Sequence, residues 1–134
     1  MEHQGGCLCG AVRWRATAEP VCASYCHCEM CRRVSGAPFM AFVEFPDGAV
    51  EWSGEEPQVY RGSPTTSRRF CGTCGGSLSF DADEAWFLAL GSFDEPERVK
   101  VQQHCYAATR LPQLDGMDDL PVYPGPFGGK GGVG

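Results

Sequence analysis

Short apolar or alternating runs, each ended by glycine or proline, make up most of the chain. Residues 11–17 (AVRWRAT) alternate apolar and polar side chains, which is typical of a half-buried strand. Residues 38–45 (PFMAFVEF) form an apolar run with aromatic residues, which favours a buried strand. The same criteria predict further strands at 49–52, 58–61, 77–80, 86–93 and 99–106.

Helical periodicity is almost absent. Residues 22–28 read as a compact polar segment, and residues 29–36 (EMCRRVSG) predict a single helical turn that ends near Gly36. Many short strands with regular turn signals favour a mainly β fold built from short antiparallel strands. The length suits one domain, at 1–124, and the glycine-rich residues 125–134 (GPFGGKGGVG) predict a flexible tail.

Charge and hydropathy exclude several classes of partner. The formal net charge is −6 and no stretch is rich in lysine or arginine, so nucleic acid and anionic membranes are not expected partners. No stretch approaches the roughly 18 apolar residues of a membrane helix. The N-terminal sequence MEHQGGC lacks the apolar region of a signal peptide, and many thiols are retained, so we expect a cytoplasmic protein.

Cysteine spacing carries most of the chemical information. Structural zinc takes four protein ligands, whereas a catalytic zinc keeps three and leaves a position open. A closed site from two pairs and an open site from a triplet would use seven of the nine cysteines, and we therefore predict two zinc ions per chain. The clusters are Cys7-x-Cys9, Cys26-x-Cys28-x-x-Cys31 and Cys71-x-x-Cys74.

Two other uses of these thiols are less favoured. A disulfide scaffold conflicts with the odd number of cysteines and with a length of 134 residues, which can build a core without crosslinks. Cys-x-Cys pairs are also poor disulfide partners. An iron–sulfur cluster usually shows ferredoxin-type spacings, which are missing here.

Spacing leaves the grouping of the cysteines open. Cys71-Gly72-Thr73-Cys74 has the form of a zinc knuckle, and Cys7 and Cys9 face one side of an extended segment. The last two cysteines of the triplet could instead share a metal with the Cys71 pair, which would leave the first pair as buried thiols. The remaining candidates are expected to be structural or solvated, with a redox role as the alternative for Cys22; they are His3, His27, His104, Cys22 and Cys105.

Several motifs in a fixed order resemble the glutathione-dependent formaldehyde-activating enzyme family, also called the centromere protein V/Gfa family. They are GGCLCGAVRWRA, CHCEMCRRVSGAPF, Trp52-Ser53-Gly54, VYRGS, RRFCGTCGGSLSF and HCY…DDLPVYP, from Gly5 to about Tyr123. The resemblance implies an all-β "β-tent" around zinc. It also implies a structural zinc on Cys7, Cys9, Cys71 and Cys74, and a second, three-coordinate zinc on Cys26, Cys28 and Cys31.

The activity that the resemblance implies is the formation of S-hydroxymethylglutathione from glutathione and formaldehyde, a carbon–sulfur lyase reaction in the reverse sense. Zinc held by three thiolates suits a fourth thiolate better than an activated water. Because glutathione carries two carboxylates, Arg32, Arg33 and Arg69 are candidate substrate ligands, with charge balance as their alternative role. Ser35 either donates to an oxyanion or caps the turn before Gly36.

Two rival functions remain open at this stage. The same zinc chemistry could act on another small thiol or aldehyde, or the chain could be a non-catalytic zinc-binding module. A fourth ligand such as Cys22 or His27 on the triplet's zinc would favour the module, whereas an open, arginine-lined site would favour an enzyme. The sequence does not fix the oligomeric state.

Overall fold

A computed structural model describes residues 2–126, and the mainly β prediction is confirmed. Apart from Gly125 and Pro126, the predicted tail at 125–134 lies outside the described residues. Within the described part the chain forms ten strands and one α-helix, α1 (Glu29–Ser35). No helix of residues 2–126 combines the length and apolar character needed to cross a membrane.

Seven strands form the larger sheet. Neighbouring strands are antiparallel except for β10 and β3, which are parallel. In spatial order they are β10 (Gln103–Cys105), β3 (Cys22–Cys26), β4 (Met40–Pro46), β9 (Ala85–Ala89), β8 (Ser77–Ala82), β7 (Thr66–Phe70) and β6 (Gln58–Ser63). The smaller, antiparallel sheet contains β1 (His3–Gly6), β2 (Val12–Ala16) and β5 (Val50–Gly54).

The main core lies between the two sheets. Val12, Trp14 and Ala16 alternate inward from β2, as the sequence pattern predicts, and they belong to the same buried cluster as Val43 and Leu88 of the larger sheet. The Trp14 indole donates a hydrogen bond of 3.1 Å to Ser92 Oγ. Burying one such aromatic side chain removes about 150–250 Å² from water, so this cluster supplies much of the hydrophobic stabilisation.

At Gly5 the backbone of β1 lies close to the Ser92 carbonyl and to the Trp14 ring, at the edge of the main core. A Cβ atom at this position would lie 2.0 Å from the Ser92 carbonyl oxygen and 2.7 Å from the Trp14 ring. Only glycine therefore lets β1 come close enough to form the bridge between Gly5 and Phe93.

A second, smaller cluster occupies the other face of the larger sheet. Because successive side chains of a strand point to opposite faces, Phe42 and Phe87 lie in this cluster, whereas Val43 and Leu88 belong to the main core. Helix α1 covers this face with Cys31 as its buried residue. The sheet's second face is therefore the surface on which the cysteine triplet lies.

Local chemistry fixes both ends of α1. The Cys28 side chain is the N-cap and accepts a hydrogen bond from the Cys31 backbone N–H. Gly36 ends the helix with φ of 72°, and its N–H donates to the Arg32 carbonyl. The predicted helical turn ending near Gly36 is confirmed.

Five segments differ from the sequence-based expectation. Two strands, β1 (His3–Gly6) and β7 (Thr66–Phe70), were not predicted. The polar segment 22–28 contains strand β3 (Cys22–Cys26). This strand was not predicted because neither of its faces is uniformly apolar, so it lacks a clear alternation of apolar and polar residues. The strand predicted at 86–93 ends at Ala89 and continues as a 3₁₀ turn at Leu90–Ser92. Of residues 99–106, only the three residues of β10 (Gln103–Cys105) form a strand.

Candidate metal centres and their surroundings

Two turns bring the first group of cysteines together. Cys7 and Cys9 lie in the turn after β1, closed by hydrogen bonds from the Cys7 N–H to the Val12 carbonyl and from the Gly10 N–H to the Cys7 carbonyl. Cys71 and Cys74 lie in the turn between β7 and β8. The four Sγ atoms all lie within 4.8 Å of one another.

The spacing within this four-cysteine group suits a tetrahedral metal. The Cys7 and Cys9 sulfurs are 3.7 Å apart, and those of Cys9 and Cys71 are 3.8 Å apart. A zinc–sulfur bond of about 2.3 Å gives a tetrahedral edge of about 3.8 Å. Four soft thiol ligands at this spacing could hold a metal ion such as zinc.

Backbone N–H groups of the two turns point at the sulfurs of this group. Val12 N–H donates to Cys7 Sγ at 3.3 Å, and Thr73 N–H donates to Cys71 Sγ at 3.3 Å. Hydrogen bonds from the backbone of Cys9 and Gly76 lower the pKa of Cys74 to about 6. Cys71 is fully buried in the main core, so this group is part of the packing of the domain.

The triplet is assembled by the start of α1. Cys26 ends β3, Cys28 caps the helix and Cys31 lies in its first turn. Their sulfurs lie within 4.8 Å of one another, with 3.0 Å between Cys28 and Cys31 and 3.4 Å between Cys31 and Cys26. Both distances are shorter than a tetrahedral zinc edge of about 3.8 Å, so a bound zinc would separate these sulfurs by a few tenths of an ångström or more.

The three thiols of the triplet titrate as a coupled group. Burial raises the pKa of Cys28, but hydrogen bonds involving Cys31 and Cys26 and the positive charge of Arg68 outweigh it, so the pKa is lowered. Burial, together with the hydrogen bonds of its two neighbours, raises the pKa of Cys31. Cys28 is therefore the thiol of this group that loses its proton most easily.

The alternative grouping left open by spacing does not occur. The triplet thiols converge with one another, and Cys71 and Cys74 converge with the first pair. The Sγ–Sγ spacing, rather than the sequence, makes this distinction.

His27 lies between two triplet cysteines but points elsewhere. Its ring is 1% exposed, and its Nε2 lies 2.8 Å from His104 Nδ1 in a shared hydrogen bond. The Phe39 ring packs 5.2 Å from it, centroid to centroid. Burial, with the charges of His104 and Arg110 second, lowers the pKa of His27. The imidazole therefore holds β10 against the triplet segment and is absent from the three-sulfur group.

Arg33 and Ser35 have contacts of their own on α1. Arg33 is largely exposed and forms an ion pair with Glu29 one turn earlier. Ser35 Oγ donates to the Cys31 carbonyl at 2.7 Å and accepts from the Ala37 N–H at 3.1 Å. Ser35 thus caps the end of the helix, the second of the two roles considered for it.

Arg32 and Arg69 lie in different settings. Arg32 follows Cys31, and its Nε is buried with no hydrogen-bond partner in the described part of the chain. Arg69 pairs with Asp81, and its guanidinium carbon lies 4.4 Å from the centre of the Trp86 ring. Trp86 packs in turn on Trp52 of the smaller sheet, so Arg69 faces the side of the sheet away from the triplet.

Arg68 is the residue near the triplet that the sequence analysis missed. Its guanidinium carbon lies 4.7 Å from the centre of the Phe80 ring, and Phe80 packs against the cluster that contains Cys28 and Cys31. The sequence feature that could have identified Arg68 is the pair Arg68–Arg69 in strand β7. Side chains of a strand alternate between its two faces, so only one of these two arginines can face the triplet.

Cys22 and Cys105 lie on the same edge of the larger sheet as Cys26 but join neither group. Cys22 Sγ contacts Ser24 Oγ at 3.8 Å, and Gln103 Nε2 donates to Cys105 Sγ at 3.6 Å. Both are half-buried rather than fully buried.

Fold and site together define a small β protein with two cysteine groups that could hold metal ions. A sequence profile described as "Glutathione-dependent formaldehyde-activating enzyme" matches residues 2–109, and the chain belongs to this family. An uncharacterized lyase of Schizosaccharomyces pombe is 39% identical over 79 residues, which is 59% of this chain and 57% of that relative.

A solved structure supports the fold alone. The crystal structure of a Rhodobacter sphaeroides protein superposes with a TM-score of 0.60 at 21% identity, covering 75% of this chain and 98% of that one. The S. pombe relative carries lyase in its name, so family and relative together suggest a lyase.

Proposed function

We propose that this chain is a zinc-dependent carbon–sulfur lyase-type enzyme that joins a small thiol, glutathione, to formaldehyde at the triplet Cys26, Cys28 and Cys31. The observation that carries the proposal is the convergence of exactly those three sulfurs, with no fourth candidate ligand among the described residues. Membership of the family supports the choice of glutathione and formaldehyde. The nine free cysteines support a reducing compartment such as the cytoplasm.

The contacts of the neighbouring residues favour an open site over a closed module. His27 hydrogen-bonds to His104, and Cys22 contacts Ser24, so neither candidate fourth ligand belongs to the three-sulfur group. A substrate thiol would fill the remaining position. The four-cysteine group, in contrast, already supplies the full ligand set of a structural zinc.

Zinc bound to the triplet would supply a positive charge that favours the thiolate form of a substrate thiol. In the overall addition, a sulfur–carbon bond forms, the carbonyl π bond of formaldehyde breaks, and the thiol proton passes to the aldehyde oxygen. The cleavage direction reverses each of these changes. The residues of the chain would hold the thiol and the aldehyde next to each other. Such positioning lowers the entropic part of the activation free energy.

Among the four residues first considered for substrate binding, the observed contacts favour Arg32. Its buried Nε has no hydrogen-bond partner in the described part of the chain, so this guanidinium keeps an unused donor, and its charge lies directly after Cys31. Arg33, Ser35 and Arg69 already have the partners described above, and we assign them helix and sheet contacts. We add Arg68, whose position over Phe80 places its charge beside Cys28.

Calorimetric titration of the metal-loaded protein tests the proposal. Glutathione should bind and release protons, and its affinity should rise as the pH approaches the pKa of the free thiol. S-methylglutathione keeps both carboxylates but has no ionisable thiol, so it should bind far more weakly. Cys31→Ser, which removes one sulfur, should abolish the difference between the two ligands.

Three outcomes separate the alternatives. Equal affinities for the two ligands would mean that arginines, rather than a metal at the triplet, hold the ligand. Binding of another small thiol in place of glutathione would keep the chemistry and change the substrate. No thiol binding at all would leave the non-catalytic zinc-binding module.

A further inference from the structure

A cleft of about 490 Å³ lies beside the four-cysteine group. One wall is the turn that carries Cys7 and Leu8, and Met40 and Ala89 line it as well. Met40 and Ala89 belong to the small cluster that contains Cys28 and Cys31, so the cleft extends to side chains that pack with the triplet. Its volume falls within the range of about 300–1,000 Å³ that is usual for small-molecule sites.

A pair of opposite charges stands at the wall of this cleft. Arg13 on β2 donates from both Nη atoms to the two carboxylate oxygens of Asp94, one bond measuring 3.0 Å. The Arg13 and Asp94 side chains remain 37% and 41% exposed. A guanidinium has five N–H donors and a carboxylate has about four acceptor positions, so both groups keep unused hydrogen-bonding positions for a ligand.

We propose that this cleft binds a zwitterionic amino-acid group of the thiol substrate, with Asp94 accepting from its ammonium and Arg13 donating to its carboxylate. The inference rests on the proposed function and adds the two residues, Arg13 and Asp94, that would hold the γ-glutamyl end of glutathione. An adjacent cation and anion match an ammonium and a carboxylate borne on one carbon atom. A thiol without that end would gain nothing from the pair.

Gly91 is a position at which the cleft can be blocked by a larger side chain. It lines the cavity, and a Cβ atom built on it would meet no other atom within 4 Å. Its φ is not in the left-handed region, so a larger residue can be placed there without backbone strain. A Cβ atom built on Gly125 also meets no other atom within 4 Å, and Gly125 does not line the cleft, which makes it the matched control.

The first test blocks the cleft. Gly91→Trp should lower the affinity of the metal-loaded protein for glutathione at least about tenfold, because an indole would occupy the volume of the amino-acid end. Its affinity for 2-mercaptoethanol, which has no such end, should be unchanged, and Gly125→Trp should match the parent protein with both thiols. Unchanged glutathione affinity in Gly91→Trp would place the ligand elsewhere and overturn the inference.

The second test compares the affinities of two ligands that differ only in the α-amino group, in the parent protein and in variants of the charge pair. Glutaryl-cysteinylglycine is glutathione without the α-amino group, so the parent protein should bind it about tenfold more weakly, the usual effect of losing one charged hydrogen bond. Asp94→Asn should bind both peptides equally. Glu51→Gln removes the same charge from an exposed ion pair with Arg15 on the neighbouring strand, outside the cleft, and should keep the discrimination.

The outcomes distinguish this inference from the proposed function. Equal binding of the two peptides by the parent protein, or equal discrimination in Asp94→Asn and Glu51→Gln, overturns the role of the pair while leaving thiol binding intact. Failure of the parent protein to bind either peptide overturns the proposed function and this inference together. Thermal melts of all variants show whether Arg13 and Asp94 act only to hold β2 to the loop after β9, since a purely structural role changes stability without changing the ratio of affinities.

Discussion

Arg68 and Arg69 are consecutive in the sequence and face opposite sides of the larger sheet. Arg68 stacks on Phe80, beside the cysteine triplet, whereas Arg69 pairs with Asp81 and stacks on Trp86. The alternation of side chains along β7 causes this division. Each arginine therefore has a different consequence when it is replaced.

Replacing the two arginines separately should separate binding from stability. Arg69→Gln should lower the free energy of unfolding by about 1–2 kcal/mol, because a half-buried ion pair and a cation–π contact are lost. Arg68→Gln should cost less stability, about 0.5–1 kcal/mol, because it loses only its cation–π contact with Phe80, and it should weaken glutathione binding. Urea unfolding and calorimetry measure the two effects, and the reverse assignment would show that Arg69, not Arg68, serves the site.

The two metal centres should release their metal at different rates. Four sulfurs at the tetrahedral spacing complete the ligand set of one site, whereas three sulfurs leave a coordination position at the other site that a chelator can occupy. Metal analysis of the protein during treatment with EDTA should show one zinc lost well before the other. A single zinc, or simultaneous loss of both, would contradict the distinction between closed and open sites.

Cysteine substitutions should have unequal effects on folding. Cys71→Ser should give unfolded or insoluble protein, because Cys71 is fully buried in the main core and metal binding to its group contributes folding free energy. Cys31→Ser should give a folded domain with about half the zinc. Circular dichroism melts with metal analysis check both, and equal collapse of the two variants would make the triplet structural as well.

His3 should make the stability depend on pH. Burial, with the charge of Arg98 second, lowers the pKa of His3, which packs against Phe45 and Phe93. The unfolded chain therefore binds the proton more readily than the folded one, and the contribution of His3 is fully present only above its unfolded pKa of about 6.5.

Stability should accordingly fall as the pH is lowered through this unfolded pKa. The free energy of unfolding of the parent protein, from urea titrations between about pH 8 and about pH 5, should decline more steeply than that of His3→Gln, which has no proton to gain there. Parallel curves for the two proteins would show that other groups, such as the metal-binding thiols, cause the whole decline.

The sequence by itself determined the fold class and the set of candidate ligands. Short alternating runs such as that of β2 report directly which side chains face the core, because the two-residue period of a strand is a local property. The helical turn ending at Gly36 was predictable for the same reason, since its left-handed residue and its cap are local. The clustered cysteines could likewise be recognised from spacing alone.

Only the tertiary structure decided which distant residues share a site. Spacing allowed Cys71 and Cys74 to join either of two partners, and the choice was made by the packing of the β7–β8 turn against the turn after β1. The cleft and its pair of Arg13 and Asp94 combine β2 with the loop after β9, about eighty positions apart. Such contacts depend on how two sheets pack and on which face each strand presents, and neither is encoded in any local run of residues.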